Sequence, residues 1–476
     1  MVALEELKKK HVLIVGAGVA GLSTSRFLAL AGVRVTVLDY QPYQENGYTP
    51  SKGCDAPSAD VNKVMRASYG SQIEYQRLAF QARDLFVQWE KDIANIPPEE
   101  LPPSLTPNSP CKVLCLLIRG GHEAPQGRRC QIHTRVENLL KLNYLEKKGY
   151  EAKLNSIKWD GDGVLDMTGG YTIANNCCTY GQYLARKAGV EFILGEAGKV
   201  SEIVKDTTGG TLRATGVKTA DGKFRFADLV IVACGGWTPS LLPEVSDRLE
   251  TTAGSVINIQ LPPKGERPDL WDKYSPQKSS VWSVGLYDIS GPRGNVYGFP
   301  RTEDGVIKIG YRGLKWTNFV QHPLDPARRI SVPKTRYTDL NETRVPVIAF
   351  EAIKTTVKQV FPDLAEAGRI IGTRLCWYCD SLDNNFLIDY VPDYDESLFV
   401  VSGGSGHMFK FLPNLGEKVI DALLGKGTEY TKLWKWPKPE LDRLEWIEKS
   451  NGLEEGEVGP RVLRKLVMVE EADMVF

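Results

Sequence analysis

A glycine motif near the N-terminus, set between two predicted strands, constrains the fold of this chain more than any other feature. The segment runs in the order strand, glycine turn, helix, strand and acid, at residues 11–15, Gly16, Gly18, Gly21, 22–31 and 35–39. This order is typical of the βαβ unit that binds the pyrophosphate of a dinucleotide. The N-terminal part of the chain is therefore predicted to form an α/β nucleotide-binding domain.

Each residue of the motif has a physical role in the predicted site. Gly16 permits the tight turn, Gly18 lets the backbone approach the pyrophosphate, and Gly21 allows the helix to pack closely on the first strand. The helix N-terminus offers N–H groups and a partial positive charge to the phosphates. Asp39, which ends the second strand, is expected to accept hydrogen bonds from a ribose. The motif by itself leaves open whether the dinucleotide is NAD or FAD.

Length and composition indicate a globular protein of more than one domain. The chain has 476 residues, of which 42% are hydrophobic and 25% charged, and its formal net charge is zero. A single hydrophobic core rarely serves a chain of this length, and a balanced charge gives no general attraction to nucleic acid or to an anionic membrane. We expect small-molecule partners, no membrane span, and a cytoplasmic monomer. A peroxisomal location is the alternative, although the C-terminus carries no SKL-type signal.

The nine cysteines are scattered along the chain and odd in number, which disfavours a disulfide framework. Thiols and imidazoles recur within one segment, at Cys111, Cys115, His122, Cys130 and His133. Their spacing matches no standard zinc motif. A zinc cluster is therefore the minor alternative, and we predict no metal site.

Patterning along the rest of the chain predicts helices, an irregular excursion and a second domain. Apolar residues recur with helical spacing at residues 71–93, 175–189 and 345–361. Residues 102–130 are rich in Pro, Gly and Cys and predict an excursion over the surface. Residues 250–345 alternate in character and are rich in Trp, Tyr, Gly and Pro, which favours an antiparallel sheet.

We therefore predict an α/β (α+β two-domain) fold in which the chain crosses between the domains more than once. The Rossmann-like nucleotide-binding domain is predicted at residues 1–100, 166–245 and 365–430, the mainly antiparallel substrate domain at 101–165 and 246–364, and a peripheral C-terminal segment at 431–476.

Four separated segments resemble the FAD-dependent amine oxidases related to monomeric sarcosine oxidase, pipecolate oxidase and the fungal fructosyl amino acid oxidases, or amadoriases. They are the glycine motif, residues 60–66, residues 306–312, and residues 375–377 combined with 402–411. The glycine motif is widespread, whereas the last two segments in this order are specific to the family. The resemblance implies a flavoprotein that oxidises an amine with O₂ and releases hydrogen peroxide.

The resemblance implies that Cys376 holds the FAD covalently through a thioether. A thiol suits this role because its thiolate is a strong nucleophile at neutral pH. The alternative is that Cys376 is a small buried hydrophobe beside Trp377, and Cys379 is expected to be structural. The resemblance also implies that Lys308 promotes the reaction with O₂, because an ammonium stabilises negative charge that forms in a dry pocket. The alternative for Lys308 is a solvated lysine on a strand.

The resemblance further implies a clamp for a substrate carboxylate, formed by Arg66 and Lys410. A guanidinium binds a carboxylate in bidentate fashion, and an ammonium adds a second charge. Lys410, which is also a predicted cofactor contact, precedes a helix predicted to begin near Pro413. The N-terminal dipole of that helix is expected to stabilise negative charge on the reduced flavin. Lys63 is predicted to lie one helical turn before Arg66 on the same side, as a substrate contact, a cofactor contact or a proton acceptor; a solvated surface lysine is the alternative.

The glycine-rich segment before Lys410 is expected to lie beside the flavin. Gly404 and Gly406 are predicted cofactor contacts, and His407 is a candidate hydrogen-bond partner of substrate or flavin. A structural histidine is the equal alternative at that position.

Arg312 and Arg66 depart from the patterns of the resembled enzymes. Deglycating oxidases carry Glu where Arg312 stands and a small or uncharged residue where Arg66 stands, and the sarcosine branch carries His at the first of these positions. Arg312 is therefore expected to meet an acidic or hydroxylated group. The predicted substrate is a secondary or N-alkylated amino acid other than plain sarcosine, oxidised to an imine that hydrolyses or cyclises, in a biosynthetic tailoring pathway. A deglycating oxidase and an NAD-dependent dehydrogenase are the alternatives, and the dehydrogenase would leave Cys376 and Lys308 without a role.

Overall fold

The computed structural model of the protein describes residues 4–54, 56–114, 117–120, 163–166, 169–285, 294–335, 338, 342–436 and 453–476. Two large sheets dominate this part of the chain, one mainly parallel and one mainly antiparallel. Four of the alternative zinc ligands and part of the predicted excursion lie outside the described residues, namely Cys115, His122, Cys130, His133 and residues 121–130.

The described residues form eleven helices and twenty-one strands. The helices are α1 Leu4–Lys8, α2 Val19–Leu30, α3 Tyr43–Asn46, α4 Ile73–Asn95, α5 Ala174–Lys187, α6 Thr238–Leu241, α7 Pro268–Lys273, α8 Val347–Val360, α9 Pro362–Ala367, α10 Leu415–Leu423 and α11 Glu429–Trp434. The strands are β1 His11–Val15, β2 Arg34–Asp39, β3 Asn62–Met65, β4 Lys112–Leu114, β5 Leu117–Gly120, β6 Gly163–Asp166, β7 Gly170–Ile173, β8 Glu191–Leu194, β9 Val200–Asp206, β10 Arg213–Thr219, β11 Phe224–Phe226, β12 Leu229–Val232, β13 Leu249–Gln260, β14 Val281–Gly285, β15 Asn295–Gly298, β16 Val306–Trp316, β17 Phe319–Gln321, β18 Arg329–Ser331, β19 Arg369–Ser381, β20 Leu387–Tyr390 and β21 Leu398–Ser402.

The parallel sheet has six strands in the order β20, β21, β12, β1, β2 and β8, and its edge strand β20 runs antiparallel to β21. Strands β1 and β12 are short apolar runs that are buried on both faces, as expected for a parallel sheet covered on both sides. Helices α2, α5 and α10 contribute to the core on one face, and the β9–β11 sheet contributes to the core on the other. The predicted Rossmann-like domain is therefore confirmed.

The second sheet has seven strands in the order β19, β13, β16, β15, β14, β5 and β6, and these neighbours are antiparallel except for β14 and β5. Alternate side chains of a strand point to opposite faces. Ile257, Ile309 and Leu375 point into a hydrophobic core shared with α8. Lys308 and Cys376 are in the alternate register and lie on the opposite face, so the antiparallel sheet carries its chemically active side chains away from its core.

The three helices predicted from periodicity are confirmed with small shifts at their ends. Residues 71–93, 175–189 and 345–361 correspond to α4, α5 and α8. In the described part of the chain, no helix combines the length and the apolar composition that crossing a membrane requires.

One predicted domain boundary is wrong. Residues 365–430 are predicted to belong to the nucleotide-binding domain, but β19 pairs with β13 along its whole length, from Ser381 opposite Leu249 to Arg369 opposite Gln260. Both domains contain apolar strands, and the local pattern does not specify which sheet a strand joins. The remaining boundaries stay a prediction.

The prediction of a peripheral segment at residues 431–476 is wrong for its last part. Leu463 and Val469 are buried in the core of the antiparallel domain. Backbone hydrogen bonds of 3.0 Å join Thr317 N–H to the Arg461 carbonyl and Val469 N–H to the Val345 carbonyl. The charged residues of this segment suggested exposure, but the apolar residues between them anchor it to the domain.

Candidate active site

The glycine turn has the geometry that close approach of a dinucleotide requires. Gly16 has φ +111°, and a Cβ built there would lie 2.5 Å from the carbonyl oxygen of Ala233. A Cβ at Gly21 would lie 1.7 Å from the carbonyl oxygen of Gly16. Helix α2 therefore packs so closely against the turn that no side chain fits at Gly21. Helix α2 begins at Val19, directly after Gly18. The turn therefore fits a pyrophosphate at the N-terminus of α2.

Asp39 closes the same turn through its carboxyl group. Its Oδ2 accepts a hydrogen bond from the backbone N–H of Ala17 at 2.7 Å, and its Oδ1 accepts one from Gln41 at 2.8 Å. Burial raises the pKa of Asp39 to about 6, although both backbone donors lower it. Asp39 thus holds the turn in shape, and its contact with a ribose stays a prediction.

Asp60 is the centre of a buried ion cluster. Its Oδ2 accepts hydrogen bonds from the ammonium groups of Lys308 and Lys63, each at 2.6 Å, and its Oδ1 lies 3.6 Å from the guanidinium of Arg374. Lys308 also donates to the Asn62 carbonyl at 2.8 Å. Burial acts to raise the pKa of Asp60, but the three cations outweigh it and hold that pKa well below its usual range.

The two lysines on Asp60 have pKa values that are shifted in opposite directions, because their neighbouring charges differ. The side chain of Lys308 is 3% exposed, and burial lowers its pKa to about 8 although Asp60 raises it. The side chain of Lys63 is 20% exposed, and the neighbouring charges of Asp60 and Cys376 outweigh burial and raise its pKa. The raised pKa keeps Lys63 an ammonium at neutral pH, so this charge state does not support the role of proton acceptor, which stays a prediction.

Cys376 lies next to the Asp60 cluster. Its Sγ is 3.6 Å from Nζ of Lys63, and the residue is 8% exposed. Cys379 is in the opposite register on β19 and is buried in the core between the nucleotide domain and β19. Burial raises the pKa of the Cys379 thiol to about 12. The two cysteines therefore differ in their surroundings, because Cys376 has a cation beside it and Cys379 is a core residue.

A second polar group surrounds Tyr69. Its Oη accepts a hydrogen bond from the ammonium of Lys410 at 2.9 Å and lies 3.1 Å from Nδ1 of His407. The guanidinium carbon of Arg66 lies 5.2 Å from the centre of the Tyr69 ring. The structure thus brings both residues of the predicted carboxylate clamp, Arg66 and Lys410, close to the phenol of Tyr69, which was not predicted as a site residue.

His407 is a neutral imidazole whose tautomer follows from its partners. Its Nε2 lies 2.9 Å from the Asn384 carbonyl oxygen, which only accepts, so Nε2 carries the proton and Nδ1 accepts from Tyr69. Burial first, and then the positive charge of Lys410, lower the pKa of His407 well below its ordinary value. A hydrogen-bond chain therefore runs from Lys410 through Tyr69 and His407 to the backbone.

The glycine-rich loop lies against Arg312. Nη2 of Arg312 donates to the Ser405 carbonyl at 3.3 Å. Gly406 has φ +70°, and a Cβ built there would lie 3.4 Å from Nη2 of Arg312 and 3.7 Å from the ring of Tyr378. A Cβ at Gly404 would meet the neighbouring Met408 at 3.2 Å. Because these loop positions are glycines, the space between the loop and the sheet stays open for a planar group.

Most of the predicted site residues converge, but one predicted relation is wrong. Lys63 and Arg66 are not one helical turn apart, because Lys63 lies on β3 and the two side chains point to Asp60 and to Tyr69. No site role was predicted for Asp60, Tyr69 or Arg374. Asp60 lies within the segment 60–66 that resembles the family. A buried carboxylate needs cationic partners, and this rule could have linked Asp60 to the predicted lysines.

The match to a protein-family model decides which dinucleotide the glycine turn serves. Residues 11–422 match the family described as FAD dependent oxidoreductase. The chain belongs to this family. The cofactor of the family is FAD, so the alternative of an NAD-dependent dehydrogenase is not supported.

Individual members of this oxidoreductase family cover the chain almost completely. L-saccharopine oxidase of Schizosaccharomyces pombe is 27% identical over 484 residues, with 98% of this chain and 99% of the relative aligned. Monomeric sarcosine oxidase of a Bacillus species is 22% identical over 428 residues, with 88% and 94% aligned. The crystal structure of the deglycating fructosamine oxidase Amadoriase II from Aspergillus fumigatus is 25% identical, with a TM-score of 0.69 and coverage of 92% and 90%. The predicted resemblance is thereby confirmed.

Proposed function

We propose that the protein is an FAD-dependent oxidase of the C–N bond of secondary or N-alkylated amino acids, which forms an imine and hydrogen peroxide. The observation that carries this proposal is the arrangement of Lys308, Lys63 and Cys376 around Asp60, on the sheet face next to the Tyr69 group. Bound FAD supplies the two-electron oxidation of the C–N bond, and the electrons pass on to O₂. The similar oxidases whose names specify saccharopine and sarcosine support this class of substrate.

The residues around Tyr69 suit the binding of an amino acid by its carboxylate. Arg66 and Lys410 provide two positive charges close to one phenol, and a carboxylate accepts strong hydrogen bonds from both kinds of cation. The nearby charges of Lys63 and Arg312 lower the pKa of a bound amine, because like charges disfavour its protonation. The neutral amine is the form that gives up electrons, so the cations beside the carboxylate clamp prepare the bound substrate for oxidation.

Lys308 suits the reaction with O₂. It is buried, and its ammonium is held in place by Asp60 and by the Asn62 carbonyl. A fixed positive charge in a dry site stabilises the negative charge that develops on O₂ without having to reorient.

The oxidase function is tested with the holoenzyme and a Lys308→Met variant. We expect hydrogen peroxide from a panel of N-methyl, cyclic and carboxyalkyl amino acids, and little from fructosyl amino acids. In K308M, substrate should still reduce the flavin, whereas reoxidation by O₂ should slow by about 100- to 1,000-fold. Lys358→Met, at an exposed position of α8, is the matched control and should behave as the wild type. Peroxide from fructosyl amino acids in preference to the others would favour the deglycating alternative, and unchanged oxygen reactivity of K308M would remove Lys308 from this role.

The covalent attachment of FAD through Cys376 is part of the same proposal. The nucleophile in such an attachment is a cysteine sulfur, and Sγ of Cys376 lies on the active face of the sheet, 3.6 Å from Nζ of Lys63. Acid precipitation of the wild type should give a yellow pellet, and Cys376→Ala should release the flavin into the supernatant. Cys379→Ala is the matched control and should keep the colour in the pellet. A colourless wild-type pellet, or a yellow C376A pellet, would contradict the assignment.

A further inference from the structure

Arg312 differs from the other cations on the active face of the antiparallel sheet. Lys63 and Lys308 share the Asp60 carboxylate at 2.6 Å, and Lys315 pairs with Asp380 at 2.7 Å. Among the described residues, Arg312 forms no ion pair with a carboxylate; its one hydrogen bond there goes to the Ser405 carbonyl at 3.3 Å. A guanidinium has five N–H donors, so most of the donors of Arg312 remain for a ligand.

The surroundings of Arg312 leave room for a ligand group. The residue is exposed, although it lies on β16 in the same register as the buried Lys308. Residue 406 is a glycine, and a Cβ at this position would lie 3.4 Å from Nη2 of Arg312. The absence of a side chain keeps the space beside the guanidinium open. The ring of Tyr378 borders the same space, since it lies 3.7 Å from that position. An open arginine fork beside a glycine and an aromatic ring is a suitable place for a planar anion.

Arg312 is close to residues of both halves of the active site. Its charge acts on Tyr69 and His407, which belong to the group around the carboxylate clamp. It also acts on Tyr297, which the charges of Lys63 and Asp60 reach as well. A substrate held by Arg66 and Lys410 therefore has Arg312 within reach of a second part of the same molecule.

We propose that Arg312 binds a second carboxylate of the substrate, so that the preferred substrates are secondary amino acids whose other nitrogen substituent also ends in a carboxylate. This inference rests on the proposed function and narrows it to a dicarboxylic secondary amine. The clamp neutralises the first carboxylate, and the second accepts the paired N–H groups of Arg312 in bidentate fashion. An alkyl or aryl group at this place would offer the donors of Arg312 no acceptor, and a sugar would offer hydroxyl acceptors without the negative charge that pairs with a guanidinium.

The kinetic test compares substrate pairs that differ only in the second carboxylate. The pairs are N-alkylglycines and N-(ω-carboxyalkyl)glycines with chains of increasing length, assayed by hydrogen peroxide release from the holoenzyme. The wild type should prefer the dicarboxylate in at least one pair, and Arg312→Gln should lower kcat/KM for that dicarboxylate by about 10- to 100-fold, the usual effect of losing a charge-assisted hydrogen bond. The kcat/KM for its alkyl partner should fall several times less, because that substrate loses only the effect of the Arg312 charge on its amine. Arg369→Gln, at the exposed first residue of β19, is the control. Equal losses for both members of each pair, or no loss, would overturn the proposal.

A binding measurement keeps this result separate from the proposed function. Glutarate and butyrate are titrated into oxidised holoenzyme, and binding is followed by the perturbation of the flavin absorbance. Glutarate should bind more tightly than butyrate to the wild type, and R312Q should remove the difference while Arg312→Lys retains part of it. If none of the amines is oxidised, the proposed function fails, and the titration still decides the role of Arg312. Equal affinities of glutarate and butyrate in the wild type would overturn the second carboxylate site.

Discussion

At the scale of single residues, one carboxyl group, Asp60, sets the charges of both lysines at the active site. Lys63 and Lys308 donate to the same oxygen at the same distance of 2.6 Å. Their pKa values nevertheless move in opposite directions, because burial and the positive charge of Lys63 outweigh Asp60 at Lys308, whereas Asp60 and Cys376 outweigh burial at Lys63. The site therefore combines a permanent cation beside Cys376 with a cation at Lys308 that titrates close to physiological pH.

This difference predicts how the reaction with O₂ depends on pH. Because the pKa of Lys308 is lowered to about 8, its ammonium is present below that pH and is lost as the pH rises through it. The rate of reoxidation of the reduced enzyme should therefore fall above about pH 8, by about tenfold for each further pH unit. Stopped-flow mixing of substrate-reduced enzyme with O₂ across this range measures the rate.

The matched variant for the pH dependence is Lys308→Arg. A guanidinium keeps its proton over the whole range, so the reoxidation rate of this variant should be nearly constant with pH, whatever its absolute value. A decline in K308R that parallels the wild type would show that another group causes it.

The sequence predicted site residues that have a distinctive chemistry of their own, and it did not predict a residue that acts through its partners. Cys376 and Lys308 were predicted because each has a distinctive chemistry within a segment that resembles the family. The role of Asp60 was not predicted, since its partner Lys308 is 248 residues away in the chain. Such a pairing depends on how β3 and β16 pack together, and local sequence patterns do not contain that information.

At the scale of secondary structure, Gly310 lets β15 and β16 fit together beneath the active site. A Cβ at Gly310 would lie 2.4 Å from Cζ of Tyr297, the residue opposite it on β15. Gly310→Ala should therefore displace the Tyr297 ring toward the neighbouring Lys308 and Arg312. We expect a loss of stability of about 1–3 kcal/mol, typical of overpacking, and a lower kcat/KM. Thermal or chemical unfolding of the holoenzyme and steady-state assays measure the two effects.

A double-mutant cycle identifies the steric cause of this loss. Tyr297→Ala removes the ring that the added methyl group meets, so the double variant should be about as stable as Tyr297→Ala alone. Additive losses would place the effect of Gly310→Ala in the backbone of β16 and away from Tyr297.

Helices and strands could be predicted where an apolar repeat extends over many residues, and they were ambiguous where the repeat covers only a few. Helix α4 has 23 residues, and its apolar spacing predicted residues 71–93 against the observed Ile73–Asn95. Strand β3 has four residues, and a spacing of three between Lys63 and Arg66 is compatible with a helical turn or with a strand. Residues 62–65 form a strand because they pair with β7. The side chains of Lys63 and Arg66 therefore point to different partners.

At the scale of the whole molecule, the C-terminal segment supports the active face through buried charges. Nη2 of Arg461 lies 2.9 Å from Oε1 of Glu250 on β13, and its Nη1 donates to the Lys315 carbonyl on β16 at 3.1 Å. Glu250 is paired across the sheet with Asp380, which in turn holds Lys315. The end of the chain therefore completes a charge network that reaches the strand of Lys308 and Arg312.

Removing one partner of this network predicts a large loss of stability. Arg461→Met leaves the Glu250 carboxyl buried without its cation, and breaking a buried ion pair in this way costs about 3–5 kcal/mol. Burial raises the pKa of Glu250 from 4.5 to about 7 even with Arg461 present. Since the folded pKa is above the unfolded one, the contribution of Glu250 to stability is full below about pH 4.5 and is lost as the pH rises through about 7. Without Arg461 this loss should be greater, so the defect of R461M should be larger at pH 8 than at pH 5, as measured by unfolding of the holoenzyme at both pH values.

The double variant Glu250→Met/Arg461→Met separates the ion pair from the packing of the segment. Replacing both partners with apolar side chains removes the unpaired charge, and such replacements are often neutral or stabilising. The double variant should therefore recover most of the stability that R461M loses, and its stability should no longer change between pH 5 and pH 8 through this site. If it remains as unstable as R461M, the loss comes from the packing of Arg461 and its hydrogen bond to the Lys315 carbonyl, and the unpaired charge of Glu250 is not its cause.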